Sequence, residues 1–359
     1  MASWVDLGYP VGAGSATAIA ASEQEVFLGT DDGLWRRGLD QNASWTRVGL
    51  PGRFVQTLEA VGPSVLLAGV GGNDEILPGG STFPGSFARS VDGGDHWCFS
   101  GGDLFIDVVG GNRVAIPMYR IVRDPGTEGG GLGVLYAGMS GASIAVSIDG
   151  GARWRYVRGE PRIYESAPCV LQMAAPASQI LYQGCEIPSD NAWINAIDVS
   201  SRGSKLGTVT AIVGIDDIGN RRPNAFGRSP ASATVTYAGL EGGLLRIDSS
   251  TWAWVFMYPQ SGTGAFGRYI YVRVIWVDPC DPAHVVFGGP TQAHDTFDLY
   301  ETFDGGVTLA FTPFPPLSMP WSVESGVAAG RGGRAIVVIA STSTGPARSY
   351  RVLLRRYGP

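Results

Sequence analysis

The chain has 359 residues, 44% hydrophobic and 16% charged, enough to bury a large core. Its net charge is −6, and the arginine pairs Arg36-Arg37, Arg221-Arg222 and Arg355-Arg356 stand alone and read as solvated faces, so no nucleic-acid partner is expected. No apolar run approaches the roughly 20 residues that cross a bilayer as a helix, and 53 Gly with 23 Pro imply many turns between short strands.

Short apolar runs follow one another along the chain and sort into groups of four. Residues 16–21, 25–29, 33–37 and 44–50 form the first group, and 54–61, 65–69, 86–91 and 96–100 the second. The third covers 118–123, 133–138, 143–148 and 153–158; the fourth has 169–174, 179–184, 193–199 and a weaker run at 205–209. The fifth begins at 211–215 and, after a stretch rich in Gly, Asn, Arg and Pro, continues through 233–239, 243–248 and 251–257. The sixth is 270–277, 284–289, 298–303 and 308–314. Asp278-Pro279 and Asp281-Pro282 bend it between its first two runs, as Asp124-Pro125 bends the third. The seventh has only 322–328, 335–341 and 349–355. Its missing partner is Trp4-Val5-Asp6-Leu7-Gly8, which matches Trp45-Thr46-Arg47-Val48-Gly49; closing a ring this way removes two open sheet edges.

One turn recurs between the third and fourth runs of a group. It reads Ser90-Val91-Asp92-Gly93-Gly94-Asp95-His96-Trp97, then Ser147-Ile148-Asp149-Gly150-Gly151-Ala152-Arg153-Trp154, then Thr302-Phe303-Asp304-Gly305-Gly306-Val307-Thr308-Leu309. The Asp can accept backbone N–H groups of its own turn, and the Gly takes a backbone angle that a side chain resists. Fainter copies at Asp40, Asp198 and Asp248 make the aspartates recur every 49 to 57 residues, the length of one four-stranded propeller blade. The three full turns resemble the Asp-box, or bacterial neuraminidase repeat, of sialidase-like and xyloglucanase-like β-propellers. The expected fold class is therefore all-β: a single seven-bladed propeller of four-stranded antiparallel blades over residues 1–359, with residues 4–8 completing the last blade. The resemblance makes Asp92, Trp97, Asp149, Trp154 and Asp304 structural residues at the outer edge of one face.

Function is then expected on the opposite face, where the loops between second and third strands and between successive blades converge. Those loops carry Asp74 and Glu75 in the second group and Tyr164 and Glu165 between the third and fourth. Glu186 and Trp193 follow in the fourth, His294 in the sixth, and Trp321 and Glu324 at the start of the seventh, while Tyr119-Arg120 opens the third. Carboxylates, an arginine and aromatic rings around one mouth suit an oligo- or polysaccharide, because ring faces stack on pyranoses and carboxylates bond hydroxyls. A glycoside hydrolase needs two carboxyls flanking the scissile bond. The catalytic candidates are Asp74 or Glu75 across the mouth from Glu165, Glu186 or Glu324, and the substrate-binding candidates are Arg120, Tyr164, Trp193, His294 and Trp321. His96 and His284, which lie in turns, read as structural.

Two other readings stand beside the hydrolase. A polysaccharide lyase would use His294 as base, with Arg120 and Tyr164 as helpers. A non-catalytic propeller would hold a ligand or protein without turnover, as an assembly factor or a lectin-like scaffold. Tyr119-Arg120-Ile121-Val122 is similar to the sialidase Arg-Ile-Pro element but lacks its Pro. No Cys/His spacing suits zinc and no phosphate-binding loop is present, so neither metal nor cofactor is expected. Cys169 and Cys185 fall on neighbouring strands, either bridged or as two buried thiols. Met1-Ala2-Ser3 carries no leader; an extracellular monomer is expected, with its leader outside this chain and the cytoplasm as the alternative.

Overall fold

The computed structural model describes residues 4–40, 42–61, 64–71, 87–100, 106–109, 112–115, 118–127, 133–139, 141–158, 169–174, 179–187, 191–203, 205–218, 221–258, 269–291, 297–311, 321–329, 331–342 and 349–357. Strand β1 (Trp4–Asp6) belongs to the last blade. Blade 1 is β2 (Ala16–Ala21), β3 (Glu25–Thr30), β4 (Gly33–Gly38) and β5 (Thr46–Gly49). Blade 2 is β6 (Val55–Ala60), β7 (Leu66–Val70), β8 (Phe87–Ser90) and β9 (Cys98–Ser100), followed by a separate hairpin of β10 (Ile106–Val109) and β11 (Asn112–Ala115). Blade 3 is β12 (Met118–Arg123), β13 (Leu135–Met139), β14 (Ile144–Ser147) and β15 (Arg155–Arg158). Blade 4 is β16 (Cys169–Met173), β17 (Ile180–Ile187), β18 (Asn191–Asp198) and β19 (Val209–Val213). After the short helix α1 (Ile215–Ile218), blade 5 is β20 (Pro223–Gly227), β21 (Val235–Leu240), β22 (Gly243–Asp248) and β23 (Trp254–Tyr258). Blade 6 is β24 (Val274–Val277), β25 (Val285–Pro290), β26 (Phe297–Thr302) and β27 (Ala310–Phe311). Blade 7 is β28 (Trp321–Ala329), β29 (Ala335–Thr342) and β30 (Ser349–Arg356), with β1 on its outer edge.

These seven four-stranded antiparallel blades form a ring, the propeller that the repeat spacing predicts. The closure is also as expected: Trp4 pairs with Arg355, Val5 with Leu354 and Asp6 with Leu353. The assignment of blades 4 and 5 needs correction. The run at 211–215 is not the inner strand of blade 5; Val209–Val213 is the outer strand of blade 4, and the inner strand of blade 5 is Pro223–Gly227. The apolar residues 211–215 had the look of a new blade, and the true inner strand lay within the Gly-, Asn-, Arg- and Pro-rich segment that follows.

The core is divided among the blade seams. Seven hydrophobic clusters are each shared by two neighbours, from Phe27 and Leu66 between blades 1 and 2 to Leu28 and Val337 between blades 7 and 1. The second strands β7, β13 and β21 are buried along their whole length, whereas the outer strand β19 is largely open to solvent and β15 is half-buried. A glycine in the second strand lets the next blade come close. A Cβ on Gly29 would lie 2.7 Å from Val55 Cγ1, and one on Gly138 would lie 2.4 Å from the Cys169 carbonyl oxygen.

The repeated turns share one hydrogen-bond pattern. The Ser90 hydroxyl accepts the N–H of Gly94 at 2.8 Å and donates to Asp92 Oδ1 at 2.8 Å, and Asp92 Oδ1 accepts the N–H of His96 at 2.9 Å. Ser147 with Asp149 and Thr302 with Asp304 repeat it. Trp97 and Trp154 donate their indole N–H to the carbonyls of Gly94 and Gly151, and Trp154 stacks on Phe87 at 4.1 Å. Leu309, in the place of a third Trp, packs into the cluster between blades 5 and 6.

Candidate functional site: the central channel

Each inner strand runs from the mouth of the channel towards the face that carries the repeated turns. Near the mouth, five of them carry an extra residue in their pairing with the second strand: Thr17, Gln56, Tyr119, Asn224 and Glu324. Such bulges re-aim a side chain and bend the strand. The recurrence sets these five positions at one level of the ring. Thr17 uses its hydroxyl to bond the Val55 carbonyl at 2.5 Å, tying blade 1 to blade 2.

The inner strands of blades 3 to 7 enclose a cavity of about 750 Å³. Among the described residues, every charged side chain on its wall is an arginine: Arg120, Arg222, Arg228 and Arg273. Arg222 pairs with Glu241 at 3.3 Å and donates from Nε to Asn224 Oδ1 at 3.1 Å, and Arg273 lies 6.0 Å over the ring of Tyr271. Arg120 and Arg228 differ. Neither makes a hydrogen bond or ion pair with any described residue. Arg228 follows β20, is half-buried and keeps its Nη1 shielded from water without an acceptor, and burial lowers its pKa. The Asn224 amide nitrogen, also shielded, lacks an acceptor.

On β6, Glu59 lies within electrostatic reach of Arg120 and of Arg123, the last residue of β12. Burial pushes its carboxyl up, while the charges of Arg120 and Arg123 oppose the shift. The aromatic rings of the wall are mostly occupied by packing. Phe226 stacks on Tyr182 at 6.1 Å; Trp276 is buried, stacks on Tyr357 at 4.2 Å and donates to the Gly333 carbonyl at 2.8 Å.

Of the residues expected from sequence to form the site, Arg120 lies on the cavity wall. Trp193, half-buried, stands opposite Cys185 in the pairing of β17 with β18, and Glu186 stands opposite Ala192 in the same hairpin on the mouth side. Glu324 occupies the bulge of β28, and Trp321 begins that strand opposite Thr342. Asp74, Glu75, Tyr164, Glu165 and His294 lie outside the described residues. Sequence reasoning missed Glu59, Asn224, Arg228 and Arg273, and it took Arg222 for a solvated face, whereas Arg222 is half-buried in the channel wall. The available signal was position: these residues sit on or beside inner strands, where alternate side chains face the channel.

Cys169 and Cys185 are bridged. They are direct partners across β16 and β17, with Cα atoms 4.6 Å apart, so the bond clamps the mouth end of blade 4.

No protein-family model matches the sequence, and no curated protein matches it significantly. Solved structures do resemble it. YCF48 bound to D1 peptide superposes with a TM-score of 0.59 at 10% identity, covering 100% of this chain and 97% of that one. YCF48 from Cyanidioschyzon merolae gives 0.60 at 14% identity, covering 99% and 98%. The GH74 xyloglucanase from Xanthomonas campestris gives 0.52 at 14% identity, covering 100% of this chain and 68% of the enzyme. The likeness is one of fold. It sets the chain among seven-bladed propellers, of which some bind peptides and some carry glycoside hydrolase activity.

Proposed function

We propose that this chain is a ligand-binding propeller that holds its ligand in the central channel without transforming it. The observation that carries the reading is the cavity of about 750 Å³ whose wall is built by five successive blades and bears two half-buried guanidinium groups, of Arg120 and Arg228, with no hydrogen bond or ion pair to a described residue. That volume is in the range of pre-formed small-ligand sites. The near-complete mutual coverage with a peptide-bound propeller supports it as well. The hydrogen-bonded turns at Asp92, Asp149 and Asp304 support placing the chain in the Asp-box group. The Cys169–Cys185 bond supports an oxidising, extracellular setting.

A second reading has one observation in its favour. Glu59, on the inner strand of blade 2 and within electrostatic reach of Arg120, is a carboxyl whose pKa burial raises, the property that a glycosidase acid requires. A hydrolase of oligo- or polysaccharides would pair such an acid with a second carboxylate among Asp74, Glu75, Glu165, Glu186 and Glu324, with Trp193 or Trp321 as stacking platform. Incubation with a broad panel of glycans and peptides, followed by mass analysis of products and of retained ligand, separates the two. The binding reading expects retention with unchanged mass; any cleavage product overturns it in favour of the enzyme.

A further inference from the structure

We propose that the channel ligand is an acidic polypeptide segment whose carboxylates are bound by Arg120 and Arg228. This deepens the binding reading and rests on it. The chain carries a net charge of −6, yet among the described residues every charged group on the cavity wall is a guanidinium, so this wall runs against the charge of the whole molecule. Low-dielectric walls lined by one sign of charge focus the field and draw in the opposite sign.

The four arginines are not equivalent. Arg222 is matched by Glu241 and Arg273 packs over Tyr271, but Arg120 and Arg228 have no acceptor among the described residues. Arg228 keeps a shielded guanidinium nitrogen without an acceptor, which is costly to a fold, while Arg120 has only the more distant charge of Glu59 beside it. An arriving carboxylate removes that cost and is held through two parallel N–H bonds, the geometry an arginine fork offers. Asn224 adds a shielded amide donor without an acceptor, suited to a peptide carbonyl one step from an acidic side chain.

The same wall disfavours a sugar chain. Pyranose recognition uses open aromatic faces, and of the three aromatic side chains described on the wall, Tyr119, Phe226 and Trp276, Phe226 is packed on Tyr182 and Trp276 on Tyr357. A peptide needs no such platform.

The test is fluorescence anisotropy on the full chain with a labelled hexa-glutamate peptide, its hexa-glutamine counterpart and an oligogalacturonate of matched charge. Hexa-glutamate is expected to bind and hexa-glutamine to bind at least tenfold more weakly, with affinity falling as ionic strength rises from about 0.05 to 0.5 M. Arg120→Gln and Arg228→Gln are each expected to weaken hexa-glutamate binding by about tenfold or more. If Arg228→Gln does not fold, Arg228→Lys keeps the charge, loses the fork and should still weaken binding. Equal binding of both peptides, or affinity unmoved in these variants, overturns the proposal. Preference for oligogalacturonate overturns the peptide assignment in favour of an acidic glycan. Retention of a neutral ligand from the panel, with neither anion bound, sinks this proposal while leaving the channel as a binding site; cleavage of any ligand sinks the binding reading itself.

Discussion

Nε2 of His284 lies 2.8 Å from Oε1 of Glu301, and the other oxygen of that carboxylate accepts a bond from Arg355 at 2.9 Å. His284 Nδ1 is 3.1 Å from Asp278 Oδ2, its ring stacks on Phe303 at 4.4 Å, and Tyr357 stands edge-on at 5.2 Å. The group joins blade 6 to the strand of blade 7 that receives β1. It is a polar fastening in an otherwise apolar seam. Burial favours the neutral imidazole, but hydrogen bonds to Glu301 and Asp278, with their charges, outweigh it and raise the pKa of His284. Burial likewise opposes ionisation of Glu301 and Asp278, and bonds and charges from their partners leave both carboxyls lowered.

The sign of the pH dependence follows. The contribution of His284 is complete below its unfolded value of 6.5 and is lost as pH rises through its raised folded value. The contributions of Glu301 and Asp278 are complete above 4.5 and 3.8 and are lost as pH falls through their lowered folded values. Thermal melts should show greatest stability between about pH 5 and 6.5 from this cluster. His284→Gln should remove the decline on the alkaline side, and Glu301→Ala should cost on the order of 3 kcal/mol by stranding buried charge. A His284→Gln profile that overlays the wild type would show that the imidazole takes no part.

The N-terminal strand does more than complete a sheet. The Leu7 N–H donates to the Val352 carbonyl of blade 7 at 2.8 Å, while the Leu7 carbonyl accepts from Trp45 Nε1 at 3.1 Å and from Arg37, both in blade 1. One residue thus latches the last blade to the first. Removing residues 1–8 should lower the melting temperature by roughly 5 °C or more. An unchanged melt would mean that the other seams alone hold the ring closed.

The repeated turns should matter for stability and not for the channel. The Ser147 hydroxyl is buried and bonds the Gly151 N–H and Asp149 together. Ser147→Ala strands a buried donor and should cost about 1–3 kcal/mol in chemical denaturation. Binding of a channel ligand, measured well below the melt, should be unaffected; a parallel loss of affinity would place the functional surface on the turn face.

These turns were the most legible part of the sequence because their logic is local: Ser or Thr, Asp and Gly complete their bonds within five residues. The blade count followed from their spacing, and the closing strand from its match to Trp45-Thr46-Arg47-Val48-Gly49. The channel was harder. Its wall comes from inner strands more than a hundred residues apart, and bulges at Tyr119 and Asn224 break the alternation that would assign side chains to a face. Arg222 beside Arg221 had the form of a surface pair, and its partner Glu241, just past the end of β21, shows why it is partly buried. The Cys169–Cys185 bond depended on register, which composition does not specify.

Glu59 offers the sharpest test of the channel. Its carboxyl is pushed up by burial more than Arg120 and Arg123 pull it down, so the folded state holds that proton more tightly than the unfolded one. Its unfolded value is 4.5; stability tied to the protonated form is present below that and is lost as pH rises through the raised folded value. Glu59→Gln keeps the shape and removes the charge, so at neutral pH it should melt no lower than the wild type, and the difference should vanish in acid. The same change removes a negative charge coupled to Arg120. If Arg120 receives a ligand carboxylate, affinity for an acidic peptide should rise in Glu59→Gln at neutral pH and the gain should shrink with added salt. A fall in affinity would instead make Glu59 the group that orients Arg120, and a titration calorimetry series across pH would show binding strongest where Glu59 is ionised.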